Sequence, residues 1–186
     1  MFIQTEATPN PATLKFLPGR DVLVGEPRDF RDAAAAAGSP LAGALFEISG
    51  VTGVFLGSDF ISVTKNDADW SHLKPQILGV IMEHFLSGKP VIAEGSAGDG
   101  PVEGEFFDES DTETVEVIKE LIATRVRPAV AMDGGDITFK GYRDGTVFLH
   151  MRGACSGCPS STATLRSGIE NLLRHFVPGV ETVQQI

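Results

Sequence analysis

Apolar residues recur in two rhythms along the chain, and each rhythm predicts a kind of element. Short apolar runs at 2–5 and 14–17 flank the turn Thr8-Pro9-Asn10-Pro11 and read as two strands, the second closed by Pro18-Gly19. Residues 29–37 read as a short helix ended by Gly38. Residues 51–56 and 60–65 predict a hairpin across Gly57-Ser58-Asp59. Leu73, Ile77, Ile81 and Phe85 recur at four-residue spacing and predict a helix capped by Asp69 and stopped by Gly88 and Pro90. These elements make an α+β domain over 1–90.

The periodicity then lapses. Residues 91–110 are rich in Gly and acids, and no Lys or Arg occurs between Lys89 and Lys119. A segment of that composition buries too little surface to offset chain entropy, so it is expected to be a flexible, self-repelling tether.

Order resumes at 111. Asp111 or Thr112 is placed to cap a helix with Val115, Ile118, Ile122 and Val126 on its apolar face and Pro128 near its end. Residues 137–142 and 146–151 predict a second hairpin across Arg143-Asp144-Gly145. A helix follows over 159–176 with Leu165, Ile169, Leu172 and Phe176 on one face, then a strand over 180–185. The expectation is a second α+β domain over 111–186, giving two small α+β domains joined by a flexible acidic Gly-rich linker.

Composition narrows the function. With 42% hydrophobic and 22% charged residues the chain can bury an ordinary core. A formal net charge of −10 argues against a nucleic-acid partner or an anionic membrane surface, since phosphate binding needs a basic face. No apolar run approaches the roughly 20 residues of a membrane helix. The start Met1-Phe2-Ile3-Gln4-Thr5-Glu6 shows neither a signal nor a transit peptide. A cytoplasmic location is expected, with a mature organellar form as the alternative.

The chain has two cysteines, and they fall in Cys155-Ser156-Gly157-Cys158. A pair this close points to metal or redox chemistry more than to a structural disulfide. Gly157 permits a positive φ in the turn, and Gly153 permits close backbone approach. Pro159 suits the first position of the following helix, which puts Cys158 beside a helix N-terminus where the dipole favours thiolate. Soft anionic sulfur suits an iron–sulfur cluster or zinc. A cubane or a closed zinc site wants about four ligands and one chain supplies two thiols, so a twofold pair of chains completes the shell. Spacing alone leaves three readings open: metal or cluster binding, a dithiol–disulfide oxidoreductase with Cys155 or Cys158 as nucleophile, and an incidental reduced pair. A zinc clasp holding a dimer is one form of the first.

Two longer motifs add a family. Met132-Asp133-Gly134-Gly135-Asp136, followed by the hairpin and Gly153-Ala154-Cys155-Ser156-Gly157-Cys158-Pro159-Ser160-Ser161, resembles the NifU C-terminal-like domain of Nfu-type iron–sulfur proteins. Thr8-Pro9-Asn10-Pro11-Ala12-Thr13-Leu14-Lys15-Phe16-Leu17-Pro18-Gly19 resembles the opening of the Nfu N-terminal domain. The resemblance implies a non-enzymatic carrier or scaffold that binds a [4Fe–4S] cluster between two subunits. Cys155 and Cys158 would be its cluster and iron ligands. The implied partners are an upstream cluster donor, apo iron–sulfur client proteins and, when loaded, a second copy of the chain.

Other candidates have plainer explanations. Asp133 and Asp136 fit a tight turn, and their hard oxygens match iron in a thiolate cluster poorly. His150 shares a strand face with Phe148 and Arg152 and reads as a half-buried hairpin residue. His72, His84 and His175 show no metal spacing, and Ser160, Ser161 and Thr162 suit the free N–H groups of a helix's first turn. No Walker or dinucleotide-binding glycine pattern occurs.

Overall fold

The computed structural model describes residues 1–96, 104–156 and 159–186, with the backbone alone at 159–161. The chain divides into two compact units, Met1–Gly100 and Pro101–Ile186. Both combine sheet and helix, the α+β class expected.

In the first unit, β1 (Gln4–Ala7), β2 (Thr13–Leu17), β3 (Arg28–Phe30), β4 (Val51–Leu56) and β5 (Ile61–Lys65) form a sheet of order β1-β2-β5-β4-β3. Every pairing is antiparallel. The register sets Phe16 against Ile61, Val63 against Val54 and Phe30 against Val54. One face of the sheet is therefore apolar, and two helices cover it, α1 (Pro40–Phe46) with Leu41 and Leu45 and α2 (Trp70–Ser87) with Leu73, Ile77 and Ile81. The Pro-Asn-Pro turn is held by Asn10, buried at 6% exposure, whose side chain accepts from the Ala12 N–H at 3.0 Å. Asp69 caps α2 by accepting from the Ser71 N–H, and Gly88 ends it at φ 69°.

One expected element is replaced. Residues 29–37 are not a helix: Arg28–Phe30 is a strand, and only Ala35–Gly38 makes a short 3-10 turn. Phe30 is 4% exposed, and seating it in the core requires the pairing with β4. The helix begins instead at Pro40, where Ser39 caps it by accepting from the Ala42 N–H at 3.1 Å.

In the second unit, α3 (Thr112–Leu121) runs through a π-helical turn at Ile122–Val126 into α4 (Arg127–Met132). The helical path thus continues past Pro128. The widened turn, in which the Arg127 N–H reaches the carbonyl of Ile122, accommodates a residue that has no N–H to give. Asp111 makes no side-chain cap bond, and the Thr112 hydroxyl donates backward to the Glu109 carbonyl. β6 (Gly135–Arg143) and β7 (Thr146–Gly153) form the antiparallel hairpin, with Asp144 at φ 49° and Gly145 at φ 76° in its turn. After α5 (Pro159–Phe176), β8 (Thr182–Gln185) pairs with β7 in parallel. The core joins Val115, Ile118 and Ile122 to Ile137, Leu149, Met151, Ile169 and Leu173.

The stretch expected as a tether is partly engaged. Val91 and Ile92 pack against the first core, and the Ala93 N–H donates to the Gly38 carbonyl at 2.9 Å. On the other side, the Phe106 N–H donates to the Lys140 carbonyl, and the Phe106 carbonyl accepts from Tyr142. Apolar side chains at 91, 92 and 106 supply the burial that the composition of the segment as a whole does not. Residues 97–103 lie outside the described residues.

Candidate cluster-binding site

The site forms where β7 runs out and α5 begins. Gly153 is the last residue of β7 and takes φ 63°, which turns the chain out of the sheet at a position that favours glycine. The Ser156 hydroxyl donates to the Gly153 carbonyl at 2.9 Å, and the Thr162 hydroxyl of α5 donates to the Cys155 carbonyl at 3.0 Å. The loop is tied at both ends by side chains a few residues away.

Beneath it lies the Asp133-Gly134-Gly135-Asp136 turn. Gly134 has φ 79°, and its carbonyl accepts from the Ala154 N–H at 3.2 Å. Gly135 pairs with Gly153 across the hairpin. A Cβ on Gly135 would stand 2.5 Å from the Cys155 sulfur and 2.8 Å from the Arg152 carbonyl oxygen. Cys155 therefore rests against a surface from which the side chain is missing. Its residue exposure is 6%, and its neighbours belong to the domain core. Burial, with Asp133 and Asp136 nearby, pushes the Cys155 thiol up to about 12. Burial thus disfavours the thiolate at this position.

Cys158 and Gly157 lie outside the described residues, so the expected convergence of two sulfurs and the expected positive φ at 157 both fall there. Pro159 does open α5. His150 is half-buried on the outer face of β7, opposite Thr138. Asp136 is engaged elsewhere: its carboxylate accepts from Arg127 Nε at 2.8 Å and from a second guanidinium nitrogen at 3.1 Å. Among the described residues no group of three or more His, Cys, Asp or Glu side chains converges as a metal site. No helix among them is long and apolar enough to cross a membrane.

Three features of the site escaped sequence reasoning. The Arg127–Asp136 pair joins residues nine apart on different elements, with no local signal. Thr162 was expected to meet backbone N–H groups and donates to a carbonyl instead. The Gly-Gly pair is legible as a turn, but that Gly135 seats a sulfur is not.

Residues 3–88 match the family model described as scaffold protein Nfu/NifU N terminal, and residues 118–184 match the NifU-like domain. The whole chain aligns over 188 residues at 50% identity with the NFU1 iron-sulfur cluster scaffold homolog, mitochondrial, of Drosophila ananassae, spanning 64% of its length. At the same identity it spans 72% of the human protein of that name. Both relatives are mitochondrial by name, which agrees with the organellar alternative and lends nothing to a cytoplasmic location. The solution structure of a NifU-like protein from Saccharomyces cerevisiae aligns with 50% of the chain at 25% identity and a TM-score of 0.46, a likeness too loose to argue from. With two domain models in order and a human relative half identical along the full alignment, the chain belongs to the Nfu-type family of iron–sulfur cluster scaffolds.

Proposed function

We propose that this chain takes up a [4Fe–4S] cluster, holds it between two copies of itself through Cys155 and Cys158 of each, and passes it to apo iron–sulfur proteins. One observation carries the reading: the chain's two cysteines, three positions apart, both fall within the stretch matching the NifU-like domain. A cubane takes about four thiolates, each chain has two, and a twofold pair supplies the balance. The cluster is cargo. It arrives from an upstream donor and leaves to a client, so the protein works without turnover chemistry of its own.

The carboxylates nearby are poor rivals as ligands. Asp136 is committed to Arg127, and hard oxygen suits a thiolate-bound iron badly. A dithiol–disulfide exchange enzyme would need a ready thiolate, and burial holds Cys155 in the opposite direction.

Anaerobic reconstitution with ferrous iron and sulfide tests the proposal. The expected result is about four iron and four sulfide per dimer, with a mass that doubles on loading. A full cluster on a solitary subunit with no added thiol would refute the shared site. Zinc recovered from protein purified without oxygen, with no iron uptake, would leave a structural clasp in its place.

A further inference from the structure

We propose that Gly135 and the Arg127–Asp136 ion pair form a seat that holds the Cys155 sulfur inside the core of the domain, so that cluster uptake begins by drawing this sulfur off its seat. Arg127 and Asp136 are then positioning residues for the site. The inference rests on the reading of Cys155 as a cluster ligand.

The sulfur's present direction is the starting point. A thiolate that shares a cluster with a second chain has to face outward to meet it. Cys155 does the reverse: it is 6% exposed and packs within the core that contains Met151 and Ile169. What admits it there is the missing Cβ at Gly135, since an added carbon would stand 2.5 Å from the sulfur. The collision would not be relieved by moving the sulfur alone. The same carbon would stand 2.8 Å from the Arg152 carbonyl and 3.1 Å from the Cys155 nitrogen, both backbone. Only glycine leaves room for loop and thiol together.

The next residue anchors the seat. The Asp136 side chain is 6% exposed and forms a two-pronged pair with Arg127, itself 30% exposed. A carboxylate taken out of water is costly unless matched in geometry, and the planar guanidinium fork supplies that match. The pair ties the first residue of α4 to the second residue of β6. The intervening Gly134-Gly135 turn is thereby fixed in height beneath the loop, with the Gly134 carbonyl holding the Ala154 N–H.

Thiol alkylation measures the seat directly. In the full-length Cys158→Ala chain, reduced and free of iron, iodoacetamide should modify Cys155 on the order of a hundredfold more slowly than in concentrated urea, because reaction waits on local opening. Asp136→Asn and Arg127→Gln should each speed the reaction on the order of tenfold, with Arg127→Lys, which keeps the charge and loses the fork, lying between. Gly135→Ala should speed it further if it folds; the two ion-pair variants test the idea whether or not it does. A pair with a merely structural role would lower the melting temperature and leave the alkylation rate of the folded fraction unchanged, and that result overturns the proposal. So would a wild-type sulfur that reacts as fast folded as unfolded. The assay contains no iron, so its failure removes the seat alone, whereas failed cluster uptake by the wild-type chain removes the ligand reading and with it the seat's part in uptake.

Discussion

The two units share a class and differ in where their polar and glycine residues are placed. In Met1–Gly100 several of these residues finish secondary structure. Ser39 and Asp69 cap helices, Gly88 ends one, and Asn10 holds a turn. In Pro101–Ile186 they converge on one loop. Gly134, Gly135, Gly153, Asp136 and Thr162 all bear on the few residues around Cys155. The capping residues of the first unit sit at element ends, where orphan backbone groups need partners. Each unit buries a charge, Lys15 in the first and Asp136 in the second, and each has glycines at positive φ, but only in the second do the charge and the glycines meet at one loop. Among the described residues, that convergence is found in the second unit, the one that carries Cys155.

The sharpest test of that division is replacement of the cysteines. Cys155→Ala or Cys158→Ala should abolish iron and sulfide uptake while the far-ultraviolet circular dichroism stays unchanged; cluster retained in the double variant would break the comparison outright. Next in size is a core truncation in the first unit. Ile77 is fully buried, so Ile77→Ala should cost about 2–5 kcal/mol in urea denaturation. The iron content per folded chain should not change, and a fall would show that the first unit does more than scaffold.

A smaller effect is expected at Ser39, whose hydroxyl caps α1 and donates to the Val91 carbonyl at 2.6 Å. Ser39→Ala should cost about 1–2 kcal/mol, since it removes a cap and leaves a carbonyl without its donor. Amide exchange at 91–96 should quicken in the same variant. The smallest effect depends on pH. His84 is buried in α2, and burial lowers its pKa from the ordinary 6.5. Above 6.5 both folded and unfolded chains hold it neutral. As pH falls below that value the unfolded chain takes the proton first, so the first unit loses stability on acidification. His84→Leu should flatten this slope in melting curves between neutral and mildly acid pH. Its Nε2 has no hydrogen-bond partner among the described residues, so the change should also stabilise at neutral pH.

Much of the architecture could be read from local pattern. The hairpins at 51–65 and 137–151 and the long helices with four-residue apolar spacing are where expected, because period, caps and turn residues agree there. In the stretch 29–37 five consecutive alanines favour helix locally, whereas Phe30 is worth more in the core as part of a strand. Ser39-Pro40 is the local signal for the actual helix, a cap followed by proline at the first position. Val91, Ile92 and Phe106 were hidden by the acidic residues around them.

The amino-acid order is sufficient for the cysteine pair, its neighbouring helix start and the family, since these depend on residues adjacent in the chain. It could not reveal that Cys155 faces inward, that Gly135 is the surface it rests on, or that Arg127 braces Asp136. Those relations join α4, β6 and the loop after β7, and they exist only once long-range packing has brought the three together. Burial, and the thiol's reluctance to ionise, follow from that packing rather than from any spacing along the chain.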